Sequence, residues 1–344
     1  MQIQTRNRPI AKATSYQVAK LAGVSQSAVS RCFKPGASVS KKMRTRIMKA
    51  VDELGYQPNA IARSLISNRT NMIGIVMADV INPFYPAVLD LFVRKLQEQG
   101  QKSLLLMASR DQQIDDVLPQ FLEYQVDGII ITSATLSSDM ADLCVQVGTP
   151  VVLFNRNVSH MQSSSVCCDN ERAARRVVDY LVETGHRRLA YIAGVEETST
   201  NRDREHAFRS QINRYGLASP ISAVGNYTYC GGFDAVLSLF SGKEKPDSVF
   251  CANDIMALGA MDALRYKMGM NVPEDVSIIG FDDIANAQWP NYDLTTVRQP
   301  IQRMVERTIS VLLERAENPS IPQSTELLAG DLIVRGSTRR HQYS

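Results

Sequence analysis

The sequence contains no long hydrophobic run, a single tryptophan and only four histidines in 344 residues. No stretch approaches the roughly 18 consecutive apolar residues of a membrane-spanning helix, which argues against an integral membrane protein. The N-terminal stretch MQIQTRNRPIAKATS is polar and basic and lacks the apolar segment of a signal peptide. We therefore expect a cytoplasmic protein, and the chain length predicts two or three domains.

The six cysteines are scattered and form no CxxC pair, which argues against a zinc site and favours free thiols. The sequence also lacks HExxH, a Walker A loop, GxGxxG after the first predicted strand and GxSxG. No motif marks the paired carboxylates or the nucleophile of a DNA-processing enzyme. We predict that the protein is not an enzyme and binds neither metal nor cofactor, and that His186 is structural.

Charge is distributed unevenly along the chain. Residues 1–70 contain 13 Lys and Arg but only Asp52 and Glu53 as acidic residues, a formal charge of +11. Because the whole chain carries +3, the remaining residues carry −8. A basic N-terminal segment on an acidic body predicts that this segment meets a polyanion. Charge alone leaves a merely solvated basic surface as the alternative.

The stretch TSYQVAKLAG predicts a short helix. Thr14 can cap it, and Gln17 can return the hydrogen bond in a capping box. Val18, Leu21 and Ala22 form the predicted apolar stripe, and a glycine supplies the turn that follows.

A second helix follows at once, with Ser25 as its predicted cap. Its buried face is predicted to hold Ala28, Val29 and Cys32, which leaves Gln, Ser and Arg side chains outside. Such a pair of helices is typical of a helix-turn-helix, whose second helix enters the DNA major groove. Arg suits guanine and Gln suits adenine, whereas Ser suits either base. The predicted outward residues are Gln26, Ser27, Ser30 and Arg31.

The stretch SVSKKMRTRIMKAVDELGY predicts a third helix, capped by Ser40 and packed through Ile47, Val51 and Leu54. Its first turn is basic and suits contacts to phosphates, which position a protein without reading sequence. The residues concerned are Lys41, Lys42 and Arg44. The three-helix pattern alone is also compatible with a protein-binding module.

The segments VAKLAGVSQSAVSR and ASVSKKMRTRIMKAVDELGYQPNAIARSL resemble the DNA-binding head of the LacI/GalR family of bacterial transcription regulators. The resemblance implies that PNAIARSL is a hinge helix that folds when a dimer binds its operator. It also implies that Leu65 is an apolar wedge in the minor groove, where it would unstack a base step and bend the duplex. The connection RCFKPGASVS departs from the family's usual shorter one, which leaves the contacts of this loop open. The candidate DNA contacts are Thr14, Tyr16, Gln26, Ser27, Ser30, Arg31, Lys41, Asn59, Ala62, Arg63 and Leu65.

From Met72 onward, apolar strands alternate with helices. A first series of predicted strands comprises MIGIVMAD, KSLLLMAS, VDGIIIT and TPVVLFN, and a second comprises RRLAYIAG, SVFCAND and VSIIGFDD. This alternation predicts two parallel sheets in tandem, each covered by helices. Because ligands bind beyond the carboxyl ends of parallel strands, two facing sheets would form a binding cleft.

The predicted strand ends carry polar and aromatic residues that suit a polar organic ligand. Arg and Asp can hold hydroxyls or a carboxylate through paired hydrogen bonds, and aromatic rings can cover the apolar face of a sugar. Trp289 is a candidate stacking residue, with core packing as the alternative. The strand-end residues are Asp79, Asn82, Phe84, Tyr85, Asn155, Arg156, Asn253, Asp254, Phe281, Asp282 and Asp283.

This part of the chain resembles the same family in DVINPFY, GHRRLAYIAG, CANDIMALGAMDAL, VPEDVSIIGFDD and LTTVRQP. The family's effector-binding core is similar to periplasmic sugar-binding proteins. The segment REHAF departs from the usual Arg-x-x-Gly-Phe, which leaves the packing behind Arg204 open. The residues expected at the effector are Asn82, Phe84, Tyr85, Asn155, Arg156, Arg202, Arg204, Tyr227, Asn253, Asp254, Phe281, Asp282 and Trp289.

The expected fold class is α/β: an all-α helix-turn-helix head, joined by a hinge helix to two doubly wound parallel-sheet subdomains of the periplasmic-binding-protein type. We expect a flexible basic tail at 1–12, the helix-turn-helix domain at 13–57, the hinge helix and linker at 58–71, and an effector-binding and dimerisation core at 72–344. Within this core, we expect a first subdomain at 72–168 and 297–324 and a second at 169–296 and 325–337.

The predicted function is a ligand-responsive transcription repressor that binds a pseudo-palindromic operator as a homodimer. A sugar or sugar derivative is the expected effector, and Arg202 and Arg204 also allow an acidic sugar. A nucleobase or another metabolite is the alternative effector, and a cytoplasmic sugar-binding protein without a role in transcription is the alternative function. The polar tail after Val334 has no leucine heptads, which argues against a tail-mediated tetramer. The expected location is the bacterial cytoplasm, on the nucleoid.

Overall fold

The computed structural model describes residues 13–33, 37–57, 69–77, 81–107, 116, 118–132, 140, 143–144, 146–157 and 163–340. Contacts within the chain separate it into two units, residues 1–70 and residues 71–344. The described part of the first unit is helical, and the second unit combines helices with two sheets.

The first unit contains the three helices that the sequence predicts. They are α1 (Ser15–Ala22), α2 (Gln26–Cys32) and α3 (Lys41–Leu54). Their apolar faces meet in a small core that includes Val18, Ala22, Val29, Ile47 and Val51. Burial of these side chains holds the three short helices together, since helices of this length are marginal in isolation.

The predicted helix caps are confirmed. The Thr14 side chain accepts from the Gln17 amide, and the Gln17 side chain accepts from the Thr14 amide at 2.8 Å. Ser25 and Ser40 each accept from the backbone amide three residues later. Gly23 ends α1 with a φ of 59°, a conformation that glycine adopts without steric cost.

The end of α1 differs from the prediction in its packing. Leu21 is 48% exposed, so its place in the apolar stripe was wrong, and Ala19 takes that place. The reason is angular, because Ala19 lies beside Ala22 on the inner face and Leu21 projects from the flank. Arg46 of α3 donates to the carbonyls of Ala22 (Nε, 3.0 Å) and Gly23 (Nη2, 2.7 Å). These bonds satisfy carbonyls that the helix end leaves free.

The second unit contains two six-stranded sheets. The first sheet has the order β11-β5-β4-β3-β1-β2 and is parallel throughout. The second has the order β12-β10-β9-β8-β6-β7 and is parallel except for β12. The strands are β1 (Met72–Met77), β2 (Lys102–Met107), β3 (Gly128–Ile131), β4 (Val151–Phe154), β5 (Ser164–Cys168), β6 (Leu189–Ala193), β7 (Ile221–Val224), β8 (Ser248–Cys251), β9 (Ser277–Asp282), β10 (Thr295–Arg298), β11 (Thr325–Leu328) and β12 (Asp331–Ile333).

Helices connect these strands and bury their apolar faces on the sheets. They are α4 (Phe84–Glu98), α5 (Leu118–Glu123), α6 (Asn170–Glu183), α7 (Ser199–Arg214), α8 (Tyr229–Leu239), α9 (Asp254–Asp262) and α10 (Ile301–Glu317). The end of α9 continues as a π-helical turn, Ala263–Lys267. In the described ranges of the chain, no helix is long and apolar enough to cross a membrane.

The chain passes between the sheets at three crossover segments, residues 168–170, 298–301 and 328–331. After the second of them, α10 packs on β3, β4 and β5 of the first sheet. The second and third crossover segments therefore lie a few residues after the subdomain boundaries expected at about 296/297 and 324/325. β10 lies wholly in the second sheet, and β11 pairs with β5 in the first, where Ser165 and Thr325 also join their hydroxyls at 3.0 Å.

Gly330 lies where the three crossover segments meet. A Cβ atom on this residue would lie 2.8 Å from the carbonyl oxygen of Arg298 and 3.1 Å from Sγ of Cys168. Only a residue without a side chain allows the backbones to approach so closely. Glycine at position 330 thus allows the three crossover segments, about which the two sheets can hinge, to pack in direct contact.

The seven predicted strands do not include β10, β11 and β12 at the end of the chain, nor β5 and β7 within the two sheets. β5 carries Ser164 and Ser165, which are buried although they are polar, because their hydroxyls bond to the segment at 324–325. β7 is an edge strand whose Ile221 and Val224 are exposed. Neither strand therefore has the apolar run that identifies the central strands.

Candidate functional site

The outward face of α2 is polar, as predicted. Ala28, Val29 and Cys32 are buried in the head, whereas the other side of the helix is open to solvent. The exposed residues include Gln26, Ser27, Ser30 and Arg31. Donors and acceptors are thus presented on one face of a short helix that follows a tight turn, the arrangement that fits a DNA groove.

The start of α2 is held by hydrogen bonds between exposed side chains. Gln26 Nε2 donates to Ser15 Oγ at 2.9 Å, and the hydroxyls of Ser25 and Ser27 lie 2.9 Å apart. These contacts orient Gln26 against α1, so the first turn of α2 presents a defined side chain to a partner.

The other expected DNA-contact residues differ in their exposure and in their hydrogen bonds. Tyr16 is 65% exposed, and Lys41 is exposed at the start of α3. The Thr14 side chain is engaged in the capping box. The remaining expected contacts, Asn59, Ala62, Arg63 and Leu65, lie outside the described residues.

In the second unit, the carboxyl edges of the two sheets meet. Arg156, which follows β4 of the first sheet, donates from Nη1 to Thr200 Oγ1 of α7 at 2.6 Å. The amide of Asn157 donates to Ser199 Oγ at 3.0 Å. Because α7 packs with the second sheet, these bonds connect the two sheets at their strand ends, the place where parallel sheets bind ligands, and we call this region the cleft.

The first sheet contributes five buried residues to this cleft. Asn82 Oδ1 accepts from the Phe84 amide at 3.1 Å, and the rings of Phe84 and Tyr85 pack edge to face. Arg156 Nη2 lies 3.5 Å from the Tyr85 hydroxyl. Asn155 adopts a φ of 57°, a strained conformation that is frequent at functional sites.

The second sheet contributes Arg204 and Asp282, both buried. Arg204 donates from Nε to Asn170 Oδ1 at 2.8 Å and from Nη1 to the carbonyl of Ala252 at 2.5 Å. Its guanidinium stacks on the ring of Phe281, with Cζ 3.5 Å from the ring centroid, and this contact also holds Arg204 in place. The arginine is therefore held rigidly at the strand ends.

Asp282 is also fixed. Its Oδ1 accepts from Gln299 Nε2 at 2.6 Å, and its φ of 124° is unusual for an aspartate. Burial raises the pKa of Asp282 to about 6, although Arg204, the hydrogen bond from Gln299 and Arg156 act in the opposite direction. Gln299 was not among the predicted site residues, and its signal in the sequence was its place in VRQP beside the second crossover segment.

Asn253 and Asp254 have different roles although they are adjacent. Asn253 caps α9 through Oδ1, which accepts from the Met256 amide at 3.1 Å. Asp254 is fully buried, and its two oxygens accept from the Ile284 amide and the Thr296 hydroxyl. Asp254 therefore supports the turn after Asp282, and its expected effector contact stays a prediction.

Tyr227 closes the second side of the cleft. Its hydroxyl lies 3.0 Å from Thr200 Oγ1 and 3.3 Å from Thr198 Oγ1. A Cβ atom on Gly194 would lie 2.1 Å from the ring, so glycine is needed there to admit the tyrosine. The two threonines were not anticipated, since hydroxyl residues at the start of a helix carry no sequence signal beyond that of a cap.

Arg202 and Trp289 do not join this buried group. The Arg202 side chain is 56% exposed and pairs with Asp203 at 3.1 Å. Trp289 is 54% exposed and follows the 3₁₀ turn Ala285–Gln288. Their expected effector contacts gain no support from the geometry.

Several buried polar atoms of the cleft lack a hydrogen-bond partner within the described part of the chain, and we call them the unpaired polar atoms. They come from both sheet edges and include donors as well as acceptors. Unpaired buried groups are costly, and each one calls for an explanation such as a ligand that binds there. The atoms are Asn155 Oδ1, Arg156 Nε, Arg204 Nη2, Asn253 Nδ2 and Gln299 Oε1.

A helix-turn-helix head and a two-sheet body with a polar cleft together define a ligand-responsive, DNA-binding regulator. Residues 14–59 match the family described as bacterial regulatory proteins, lacI family, and residues 178–338 match a periplasmic binding protein-like domain. The ribose operon repressor of Escherichia coli (strain K12) is 32% identical over 329 residues, which cover 94% of this chain and 99% of that protein. The chain belongs to the lacI family of bacterial regulatory proteins and is a DNA-binding transcription regulator, as the sequence motifs indicated.

Two solved structures share the fold over nearly the whole chain. The lac repressor dimer bound to operator and the anti-inducer ONPF has a TM-score of 0.87 at 25% identity, covering 95% of this chain and 99% of that chain. The complex of the transcriptional regulator CelR with cellobiose has a TM-score of 0.72 at 30% identity, covering 95% and 100%. The expected α/β fold class is thereby confirmed, with the hinge helix outside the described residues.

Proposed function

We propose that this regulator is a repressor that binds a pseudo-palindromic operator as a homodimer. We further propose that a sugar or sugar derivative in the cleft changes its operator affinity. The observation that carries the proposal is the set of unpaired polar atoms between the two sheet edges. Amide and guanidinium groups on both sides, with the carboxylate of Asp282 on the second, suit a ligand rich in hydroxyls.

The similar proteins support this reading of the site. The Escherichia coli relative is named for the ribose operon, CelR was solved with cellobiose, and the lac repressor was solved as a dimer on its operator. Phe281 is covered by Arg204 and Trp289 lies exposed, whereas Phe84, Tyr85 and Tyr227 remain to cover the apolar face of a sugar.

For the head, we propose that Gln26, Ser27 and Arg31 contact base edges, because all three are exposed on α2. Lys41 at the start of α3 suits a phosphate contact, which would position the head without reading sequence. A two-fold symmetric dimer requires a two-fold symmetric operator. The wedge role of Leu65 and the contacts of the other hinge residues remain part of the same proposal.

Effector binding to the second unit affects DNA binding by the first because the effector binds one state of the dimer better than the other. A ligand shifts operator affinity only to the extent that it binds one dimer state better than the other. The Arg156–Thr200 and Asn157–Ser199 hydrogen bonds join the two sheet edges directly. A ligand placed between those edges therefore changes the balance between open and closed arrangements of the cleft.

The proposal is tested with the full-length protein in two steps. A thermal-shift screen against sugars, sugar acids, polyols and purines identifies the ligand class, since a ligand at about 100 times its Kd stabilises by about 2.7 kcal/mol. Fluorescence anisotropy with a labelled palindromic operator then measures binding with and without the hit. A sugar that changes operator affinity supports the proposal. A purine as the sole hit, or a sugar that leaves operator affinity unchanged, contradicts it.

We also propose that the chain has no catalytic activity and that it acts in the bacterial cytoplasm on nucleoid DNA. The basis is its family, whose members are transcription regulators. An effector that binds reversibly should be recovered chemically unchanged after prolonged incubation with the protein, as measured by mass spectrometry. Conversion of the effector would contradict this part of the proposal.

A further inference from the structure

Two guanidinium groups are buried in the cleft, and in the described structure no carboxylate is hydrogen-bonded to either. Arg156 is 6% exposed and Arg204 is 2% exposed. The partners of both arginines are neutral groups, namely the carbonyls of Asn155 and Ala252, the hydroxyls of Thr200 and Tyr85, and the side-chain amide of Asn170. Arginine cannot lose its charge in a protein, so both charges are present in the folded state.

The carboxylates next to the cleft are engaged elsewhere. Asp283, adjacent to Asp282, accepts from Arg298 and Arg335 at 2.6 Å each. Asp203, adjacent to Arg204, pairs with the exposed Arg202. Asp283 and Asp203 thus neutralise other arginines. Only the remaining carboxylates of the described cleft can balance the charges of Arg156 and Arg204.

Asp282 is the shared counter-charge. Burial raises the pKa of Asp282 to about 6 against the opposing effect of Arg204 and Arg156, so this carboxylate is largely ionised at neutral pH. Asp254 adds little negative charge, because burial and the charge of Asp282 raise its pKa to about 8. Among the described residues of the cleft, two positive charges therefore face one negative charge.

A buried charge without a partner is expensive, and a ligand that neutralises it gains the corresponding free energy. We propose that the effector is a sugar acid whose single carboxylate binds the Arg156 and Arg204 guanidinium groups. The inference rests on the proposed function, since it names the class of effector for the same cleft. Within the described residues of the cleft, a neutral sugar leaves one positive charge uncompensated, whereas a monoanion balances the charges and a phosphate dianion exceeds the balance.

The unpaired polar atoms supply the donors for such a group. Arg156 Nε and Arg204 Nη2 are buried and lack a partner within the ranges described. Guanidinium N–H groups match carboxylate oxygens in geometry and form stronger hydrogen bonds with them than with neutral acceptors. Arg156 belongs to the first sheet edge and Arg204 to the second, so one carboxylate would hold the two edges together. The charge of the effector would thus act directly on cleft closure.

The test is isothermal titration calorimetry of the full-length protein with matched pairs: D-glucose and D-glucuronate, D-galactose and D-galacturonate, and D-ribose and D-ribonate. D-glucose 6-phosphate is included as a dianion. We expect at least one acid to bind about 100-fold more tightly than its neutral partner, as for a buried charge pair. A neutral sugar that binds while every acid fails overturns the inference and leaves the proposed function standing. Binding by neither class overturns both, and tighter binding of the phosphate than of the acids overturns the assignment of a monoanion.

Variants separate charge recognition from a structural role. Arg204→Gln should weaken acid binding at least about 30-fold and neutral-sugar binding far less. Arg204→Lys keeps the charge and should retain part of the preference for the acid. Arg214→Gln, at the exposed end of the same helix, is the matched control and should behave like the wild type. If Arg204→Gln fails to fold, Arg156→Gln makes the same test from the other sheet edge. Equal losses for acid and neutral sugar in a folded variant overturn the inference.

Discussion

Arg156 Nη1 donates a hydrogen bond of 2.6 Å to Thr200 Oγ1 and thereby joins the ends of the two sheets. The same hydroxyl lies 3.0 Å from the Tyr227 hydroxyl. Thr200 is buried and thus connects a cation of the first sheet edge with an aromatic residue of the second. Since a ligand between these edges must meet the same groups, the bond is placed to couple effector binding to cleft closure.

Thr200→Val tests this coupling, because valine has nearly the same shape and lacks the hydroxyl. The free energy of unfolding should fall by about 1–3 kcal/mol, since a buried charged donor loses an acceptor. The ratio of operator affinities with and without effector should also move toward one. Urea denaturation measures the first quantity, and operator anisotropy at saturating effector measures the second.

Thr325→Val is the control for this variant. Thr325 also forms a hydrogen bond between hydroxyls, at 3.0 Å to Ser165, but within the first sheet. It should leave the response of operator affinity to effector unchanged. If both variants alter that response equally, the Arg156–Thr200 bond has no special role in coupling.

Gly330→Ala should disturb the hinge between the two sheets. The added Cβ would approach the backbone oxygen of Arg298 to 2.8 Å, and backbone cannot move aside as a flexible side chain can. We expect a loss of about 1–3 kcal/mol in the free energy of unfolding, as for other overpacked sites. Differential scanning calorimetry of the full-length protein measures the loss.

Gly242→Ala provides the comparison, because the nearest atom to a Cβ at Gly242 is 4.0 Å away. That variant should match the wild type or be slightly more stable, since alanine restricts the unfolded chain. A Gly330→Ala protein as stable as Gly242→Ala would show that the crossover segments can separate without cost.

The elements with strong local signals were predictable from sequence. The caps at Thr14, Ser25 and Ser40 follow from side chains that can bond a backbone amide within the same turn. Central strands such as β3 are short runs of apolar residues buried on both faces. These features depend on a few neighbouring residues, so they can be recognised without knowledge of the rest of the chain.

The parts that depend on tertiary contact were not predictable in the same way. β11 joins the first sheet because it pairs with β5, about 160 residues earlier, and no local pattern encodes that choice. In the cleft, both Arg202 and Arg204 were expected as contacts. Residues two apart on a helix point in different directions, and only Arg204 is buried. Helical spacing alone could have separated the two arginines, whereas the part played by Gln299 has no such local signal.

Asp254→Asn should make stability less dependent on pH. Burial, with the charge of Asp282 as the next cause, raises the pKa of Asp254 from 3.8 to about 8 in the folded protein. The folded state therefore keeps a proton that the unfolded state has released between these values. The resulting stabilisation is complete below the lower pKa and is lost as pH rises toward about 8, by up to about 1.4 kcal/mol per pH unit.

Urea denaturation of wild type and Asp254→Asn from about pH 6 to about pH 8.5 checks this prediction. The amide keeps an acceptor for the Ile284 amide and gains a donor for Thr296, so the variant should fold. The wild type should lose more stability than the variant as pH rises. Asp282, with its own raised pKa, contributes in the same sense in both proteins. Parallel curves would show that Asp254 is ionised throughout this range.

Arg31→Ala should relax sequence preference as well as weaken DNA binding. Arg31 is exposed on α2, where a guanidinium can bind the O6 and N7 atoms of guanine. Removal of such a contact should cost about 10- to 100-fold on the operator and much less on random DNA. Lys41→Ala is the contrasting variant, since a lost phosphate contact should weaken both DNAs alike and reduce the salt slope by about one. Anisotropy titrations with both DNAs at several salt concentrations give these quantities. Equal losses on operator and random DNA for Arg31→Ala would assign that arginine to the phosphate backbone, and the base-reading surface would then have to lie at Gln26 and Ser27.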